Sequence, residues 1–302
     1  MSYKVKKAAV LGSGVMGSGI ACHLANVGID VLMLDIQPND KSIKNKNIIA
    51  DESLKNAIKS RPNPLYKKEY SSRITTGNFD DDFEKIKDAD WIIEVIVENL
   101  EIKKTVFEKV EKYKSDHAFV TSNTSSIPIS LLCEGRSDNF KSKFCGTHFF
   151  NPPRYLRLFE VIPHTNSDPS LISFLMEFGD VILGKQTVLC KDTPGFIGNR
   201  IGVMCGIKSS QLTDKYKFKI EEVDLMTGSV IGLPNSGTFR LQDLVGLDTS
   251  NNVTNFLVNN VTNDSFYSNL KDEPENKSFN FLIENKFFGN KSGKGYYEKT
   301  KE

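Results

Sequence analysis

Residues 5 to 28 read VKKAAVLGSGVMGSGIACHLANVG, and the punctuation of this stretch decides the fold. Val5 to Leu11 has the pattern of a buried strand and runs directly into Gly12-Ser13-Gly14-Val15-Met16-Gly17. Ile20 to Val27 then carries apolar and small residues at helical spacing, with Gly28 placed as a C-cap. Gly-x-Gly-x-x-Gly is a weak signal alone and a strong one between a strand and a helix. In that setting Gly12 permits the tight turn, Gly14 lets a pyrophosphate approach the backbone, and Gly17 lets helix and strand pack closely. The amides of the first helical turn, at Val15 and Met16, supply donors at the positive end of the helix dipole.

The next strand, Ile29 to Leu34, ends at Asp35, 23 residues beyond Gly12. That is close to the ~20 expected of the carboxylate that accepts the ribose hydroxyls of NAD. A carboxylate there repels a 2′-phosphate, and Ile36-Gln37-Pro38 offers no cation to hold one. NAD is the expected cofactor.

A chain of 302 residues has room for two cores. A net charge of +1 gives no bulk attraction to nucleic acid or membrane, and no apolar run reaches 18 residues. The start, MSYKVKKAAVLGSG, reads as a first strand and not as a signal peptide. Five Cys, at 22, 133, 145, 190 and 205, show no CxxC spacing, which fits reduced thiols in the cytoplasm and no metal site.

Further strands are expected at 73–76, 91–96, 118–121, 143–149, 157–162 and 187–190, with helices at 102–113 and 171–181. Asn39 to Tyr70 is lysine-rich and helical in part, broken by Pro62 and Pro64. Its bland reading is a solvated surface; its functional reading is a landing site for substrate phosphates, with Lys59, Lys67 and Lys68 as contacts. Val97-Glu98-Asn99-Leu100 and Ser122-Asn123-Thr124-Ser125-Ser126 both follow strands, on the edge where open α/β sheets bind ligands. Helix capping would explain either segment equally well. Lys191-Asp192-Thr193-Pro194-Gly195 reads as a hinge, and beyond it the strand–helix alternation stops. Helices are expected near 196–212, 220–227, 239–245, 249–261 and 278–286, before a Gly-rich basic tail, GNKSGKGYY. The fold class is therefore an α/β Rossmann-type N-terminal domain, residues 1–190, followed by a smaller all-α domain, residues 191–302.

The segment 146–163, GTHFFNPPRYLRLFEVIP, holds the candidate chemistry. Glu160 lies inside an apolar strand pattern, an expensive place for a charge unless it is paired. The Asn151-Pro152-Pro153 turn can bring it opposite His148, and a carboxylate against an imidazole makes a general base. A structural His with a solvent-facing Glu is the competing reading.

Taken together, GSGVMGSGIA, VENLEIKK, SNTSS, GTHFFNPP with Glu160, KDTPGFIGNR, VGLD and KSGKGYY resemble the 3-hydroxyacyl-CoA dehydrogenase family, in the family's order over nearly the whole chain. RPNPLY and GRSDNFK resemble the dehydrogenase part of longer bacterial β-oxidation chains, which also carry a hydratase-type domain; here the chain ends soon after KSGKGYY. The resemblance implies oxidation of an (S)-3-hydroxyacyl-CoA by NAD in fatty-acid metabolism, with a helical domain that often dimerises. It implies His148 as catalytic base and Glu160 as its partner, with Ser125 and Asn199 as polar residues on the substrate side. Glu98, Lys103, Asn151 and Lys291 match residues that line the NAD site. Acyl-CoA is the implied substrate, and a β-oxidation hydratase or thiolase an implied partner. A dehydrogenase of the same superfamily acting on a non-CoA hydroxy acid, or a non-catalytic NAD-binding module docking to a hydratase, are the alternatives. Residues 39–70 and 234–240 depart from the family pattern, and with them the CoA contacts.

Overall fold

The computed structural model describes residues 3–270 and 276–300. They form two compact units, one ending at Phe196 and the other beginning at Ile197.

The first unit follows the alternation read from the sequence. Its strands are β1 (Lys7–Leu11), β2 (Asp30–Asp35), β3 (Ile74–Asn78), β4 (Trp91–Glu94), β5 (Phe119–Ser122), β6 (Phe144–Phe149), β7 (Leu158–Ile162) and β8 (Gln186–Leu189). The helices between them are α1 (Val15–Asn26), α2 (Ile48–Lys59), α3 (Leu100–Tyr113), the short α4 (Ile129–Leu132) and α5 (Asp138–Ser142), and α6 (Pro169–Val181). The strands form one sheet in the order β3-β2-β1-β4-β5-β6-β7-β8. All neighbours are parallel except β6 and β7. Strand order reverses between β1 and β4, the point where such sheets open a ligand crevice.

Both faces of the sheet are covered, so its inner strands are buried and mostly apolar. Ala8 and Val10 of β1 face one core with Ile20, Leu24, Trp91 and Leu175. Ala9 and Leu11 face the other with Ile92, Phe107, Val120 and Phe144. Along the basic stretch after β2, α-helix forms over α2 and stops before Pro62 and Pro64, whose rings cannot continue it, and a short 3-10 helix follows at Lys68–Arg73. Helix α1 begins at Val15, five residues ahead of the apolar periodicity and directly after Gly14.

The second unit is helical: α7 (Gly198–Tyr216), α8 (Ile220–Met226), α9 (Phe239–Val245), α10 (Leu247–Asn260), α11 (Ser265–Asn269) and α12 (Lys277–Glu284). Two buried aspartates tie it together. Asp224 accepts from the backbone of Phe239 and Arg240 and from the Tyr297 hydroxyl. Asp243 accepts from the amides of Tyr296 and Tyr297, which fixes the GKGYY turn. Ile201, Leu212, Leu225 and Val230 are exposed, so much apolar surface of this unit faces outward. Among the described residues no helix is long and apolar enough to cross a membrane, and no cluster of His, Cys, Asp or Glu could hold a metal ion.

Candidate active site

The Gly-rich loop joins β1 to α1 at the carboxyl edge of the sheet. Gly12 has φ +107°, a conformation open to glycine, and a Cβ there would lie 2.6 Å from the Val95 carbonyl oxygen. A Cβ on Gly17 would collide with the Gly12 carbonyl oxygen, whereas one on Gly14 would meet nothing within 4 Å. The loop is thus closed on its protein side and open at Gly14, beside the first-turn amides of Val15 and Met16. This fits a pyrophosphate at the helix N-terminus.

Asp35 sits at the end of β2, beside that loop. Its Oδ2 accepts from both the backbone and the hydroxyl of Ser13, each at 2.6 Å, and its Oδ1 from the Ile36 amide at 2.7 Å. The carboxylate is fixed in place before any ligand arrives.

Past β4 lies a chain of charges, of which Glu94 and Lys103 are buried and Glu98 reaches the surface. Lys103 of α3 is 1% exposed, and its ammonium stands 2.5 Å from Glu94 Oε1 and 3.3 Å from Glu98 Oε2. Glu94 Oε1 also accepts from the Ile96 amide, and its Oε2 from the Ser122 hydroxyl at 2.5 Å. Burial pushes the Glu94 carboxyl up, opposed by Lys103 and these donors. Burial acts the same way on Glu98, but Lys103 and the loop donors outweigh it and hold that carboxyl below the usual range.

Glu98 Oε1 organises the SNTSS loop. It accepts from the Thr124 hydroxyl at 2.6 Å, the Ser125 and Ser126 amides at 3.0 Å, and the Ser126 hydroxyl at 2.7 Å. Helix capping does not explain this loop, because the amides of Ile129 and Ser130 that open α4 are taken by Asp192. Capping does explain Asn99, whose side chain accepts from Ile102 at the start of α3. Asn123 Oδ1 accepts from the Phe149 amide at 2.8 Å and fastens the loop to the strand that carries His148.

His148 and Glu160 are Cα partners across the antiparallel β6–β7 pair. His148 Nδ1 lies 2.7 Å from Glu160 Oε2, with His148 6% and Glu160 0% exposed. A carboxylate only accepts, so Nδ1 carries the proton and Nε2 is left as the basic nitrogen. Phe150 packs against the imidazole at a centroid distance of 4.4 Å and Phe196 at 5.8 Å, which keeps the pair in apolar surroundings.

Asn151 is exposed in the turn after β6. Lys59 at the end of α2, and Lys67 and Lys68 beyond it, are exposed too. The loop between them is held by Arg154, whose guanidinium donates to the carbonyls of Asn63 and Leu65 and stacks over Tyr66. Asn199 opens α7 in the helical unit. Lys291 is in the same unit, and its ammonium pairs with Asp248.

Sequence reasoning passed over Glu94 and Ser13. Glu94 carries the signal that singled out Glu160, a charge within an apolar strand, here Trp91-Ile92-Ile93-Glu94-Val95-Ile96. Nothing local marks Ser13, whose partner is far away in sequence.

Residues 7–193 match the family domain described as "3-hydroxyacyl-CoA dehydrogenase, NAD binding domain", and residues 195–299 the one described as "3-hydroxyacyl-CoA dehydrogenase, C-terminal domain". A Bacillus subtilis relative named "Probable 3-hydroxyacyl-CoA dehydrogenase" is 46% identical over 99% of this chain, and the chain spans 39% of that relative's length. A Deinococcus radiodurans relative of the same name is 44% identical over 99% of this chain and 84% of its own. The crystal structure of (S)-3-hydroxybutyryl-CoA dehydrogenase from Ralstonia eutropha covers 99% of this chain and 100% of its own, with a TM-score of 0.76 and 26% identity. NAD is the cofactor that the matched N-terminal domain binds. With both domain types matched in order, the chain belongs to the 3-hydroxyacyl-CoA dehydrogenase family.

Proposed function

We propose that this protein oxidises (S)-3-hydroxyacyl-CoA to 3-oxoacyl-CoA with NAD. The observation that carries the reading is the buried His148–Glu160 pair, on the same sheet as the open Gly14 loop. His148 Nε2 takes the proton of the C3 hydroxyl while the C3 hydrogen departs with its electron pair. NAD, when bound, accepts that hydride. Glu160 holds the ring in the right tautomer and stabilises the imidazolium, as the carboxylate of a triad does. General-base catalysis of this kind is worth ~10²–10⁴-fold. The Ser125 hydroxyl holds the C3 oxygen, and Gly12, Gly14, Val15, Met16, Gly17 and Asp35 hold the dinucleotide; Asn199 keeps its expected role as a substrate residue of the helical unit. Glu98, Lys103, Asn151 and Lys291 serve the cofactor side. Exposed Lys59, Lys67 and Lys68 form the landing surface for CoA phosphates.

The helical unit's exposed apolar residues fit pairing of two copies; residues 1–190 carry the NAD site and the His148–Glu160 pair, and residues 191–302 are the helical part for substrate and dimerisation. The 39% span of the Bacillus subtilis relative fits a partner enzyme of fatty-acid oxidation, of hydratase or thiolase type. Five free thiols suit the cytoplasm.

The test is NAD reduction with 3-hydroxyacyl-CoAs of increasing length beside the matching free 3-hydroxy acids. Turnover confined to the thioesters supports the reading. Equal turnover of the free acids assigns the site to a non-CoA hydroxy acid.

A further inference from the structure

The geometry points to Glu94 as a positioning residue for Ser125, acting through Lys103 and Glu98. The inference rests on the proposed role of Ser125 on the substrate side.

Four links make the relay. Glu94, fully buried, holds the Lys103 ammonium at 2.5 Å. Lys103 reaches Glu98 Oε2 at 3.3 Å. Glu98 Oε1 gathers four donors from Thr124, Ser125 and Ser126. Glu94 also holds the loop's entry directly, through the Ser122 hydroxyl and through its own carbonyl to the Asn123 amide. Ser125 therefore has its backbone fixed by a carboxylate whose other oxygen faces a buried ammonium.

The position of Lys103 shows why the Glu94 carboxylate matters to Glu98. Lys103 lies between two carboxylates and is closer to Glu94. Without the Glu94 charge, the whole attraction of the buried Lys103 falls on Glu98, whose carboxylate it already meets at 3.3 Å. Glu98 then turns toward Lys103, and the Ser125 and Ser126 amides lose their acceptor. The cofactor-side carboxylate and the substrate-side serine behave as one unit, with Glu94 as its fixed end.

The test is Glu94→Gln, read two ways. Hydrogen exchange of residues 123–127 should quicken at least about tenfold, while residues 144–149 of β6 keep their protection. In a kinetic cycle, Glu94→Gln should lower kcat about tenfold, and adding Ser125→Ala should lower it by less than about twofold more. A control cycle with Asp35→Ala, outside the network, should multiply in full. A general loosening of the fold would speed exchange in β6 as well and would couple with neither partner. Should the single variant fail to fold, Glu94→Asp keeps the charge but draws it back from Lys103, and its loop exchange should quicken in the same sense while β6 keeps its protection. Unchanged loop exchange in a folded variant, or losses that multiply with Ser125→Ala, overturns the relay. The exchange arm needs no turnover, so wild-type protein inactive on 3-hydroxyacyl-CoA would sink the proposed function while exchange still decides the relay.

Discussion

Ser13 gives both of its donors, backbone N–H and hydroxyl, to the same oxygen of Asp35, each at 2.6 Å. Oδ2 is thereby saturated, and the Ile36 amide takes one lone pair of Oδ1. The carboxylate is pre-oriented, and the proposed function assigns its charge to the ribose of NAD. NAD should be preferred over NADP by at least about tenfold, or ~1.4 kcal/mol. Asp35→Ala should weaken NAD and narrow the gap. Equal kcat/KM for the two cofactors in wild-type protein would refute the assignment.

Gly14 and Gly17 should respond differently to the same added methyl. On Gly17 it meets the Gly12 carbonyl oxygen, part of a backbone that cannot yield, so Gly17→Ala should unfold the loop or the whole unit. On Gly14 it meets open space and an ordinary φ of −54°, so Gly14→Ala should keep the melting temperature of wild type. Its NAD affinity should nonetheless fall about tenfold or more, because the methyl occupies the pyrophosphate's approach. Full NAD affinity in folded Gly14→Ala, measured by calorimetry, would place the pyrophosphate elsewhere.

What the sequence disclosed was what is local. The Gly-x-Gly-x-x-Gly turn, the strand–helix alternation and the loss of strands after Gly195 are written in neighbouring residues. The His148–Glu160 register was also within reach, since a short turn leaves two adjacent strands few ways to pair. The Glu94–Lys103–Glu98 relay was not. It exists because parallel pairing sets Leu11 beside Glu94 and Glu94 beside Ser122, and strand order across crossovers is not a local property. Ser13 was hidden for the same reason, its partner lying on the next strand over. The lysines of residues 59–68 stayed ambiguous, because an exposed lysine looks alike whether it meets phosphate or water.

His23 should make the protein acid-labile. Its Nε2 donates to the Leu183 carbonyl at 3.1 Å, while its buried Nδ1 has no partner. Burial, then the nearby Lys185 and Arg154 charges, push its pKa down to about 4. Because the folded value lies below the unfolded 6.5, its stabilising effect is complete above pH 6.5 and is lost as pH falls toward 4. The loss amounts to about 3 kcal/mol. His23→Gln keeps a donor for Leu183 and cannot charge. Denaturant unfolding between pH 7 and pH 4 should show wild type losing that much more than the variant. Parallel curves would mean that other groups govern acid stability.

The His148–Glu160 pair should behave as one catalytic unit. His148→Ala removes the proton acceptor, so kcat should fall by roughly 10²–10⁴-fold with NAD affinity near that of wild type. Glu160→Gln keeps shape and burial, but loses the charge that steadies the imidazolium and the preference for a proton on Nδ1. It should also lower kcat strongly. Oxidation needs the neutral ring and reduction the imidazolium, so the pH dependences of the two directions should have opposite signs. The double variant decides the matter. Once His148 is gone, Glu160 has no ring to orient, and its replacement should cost little more in kcat. A double loss equal to the product of the two single losses would show two residues acting separately, and the 2.7 Å contact between them would then be structural only.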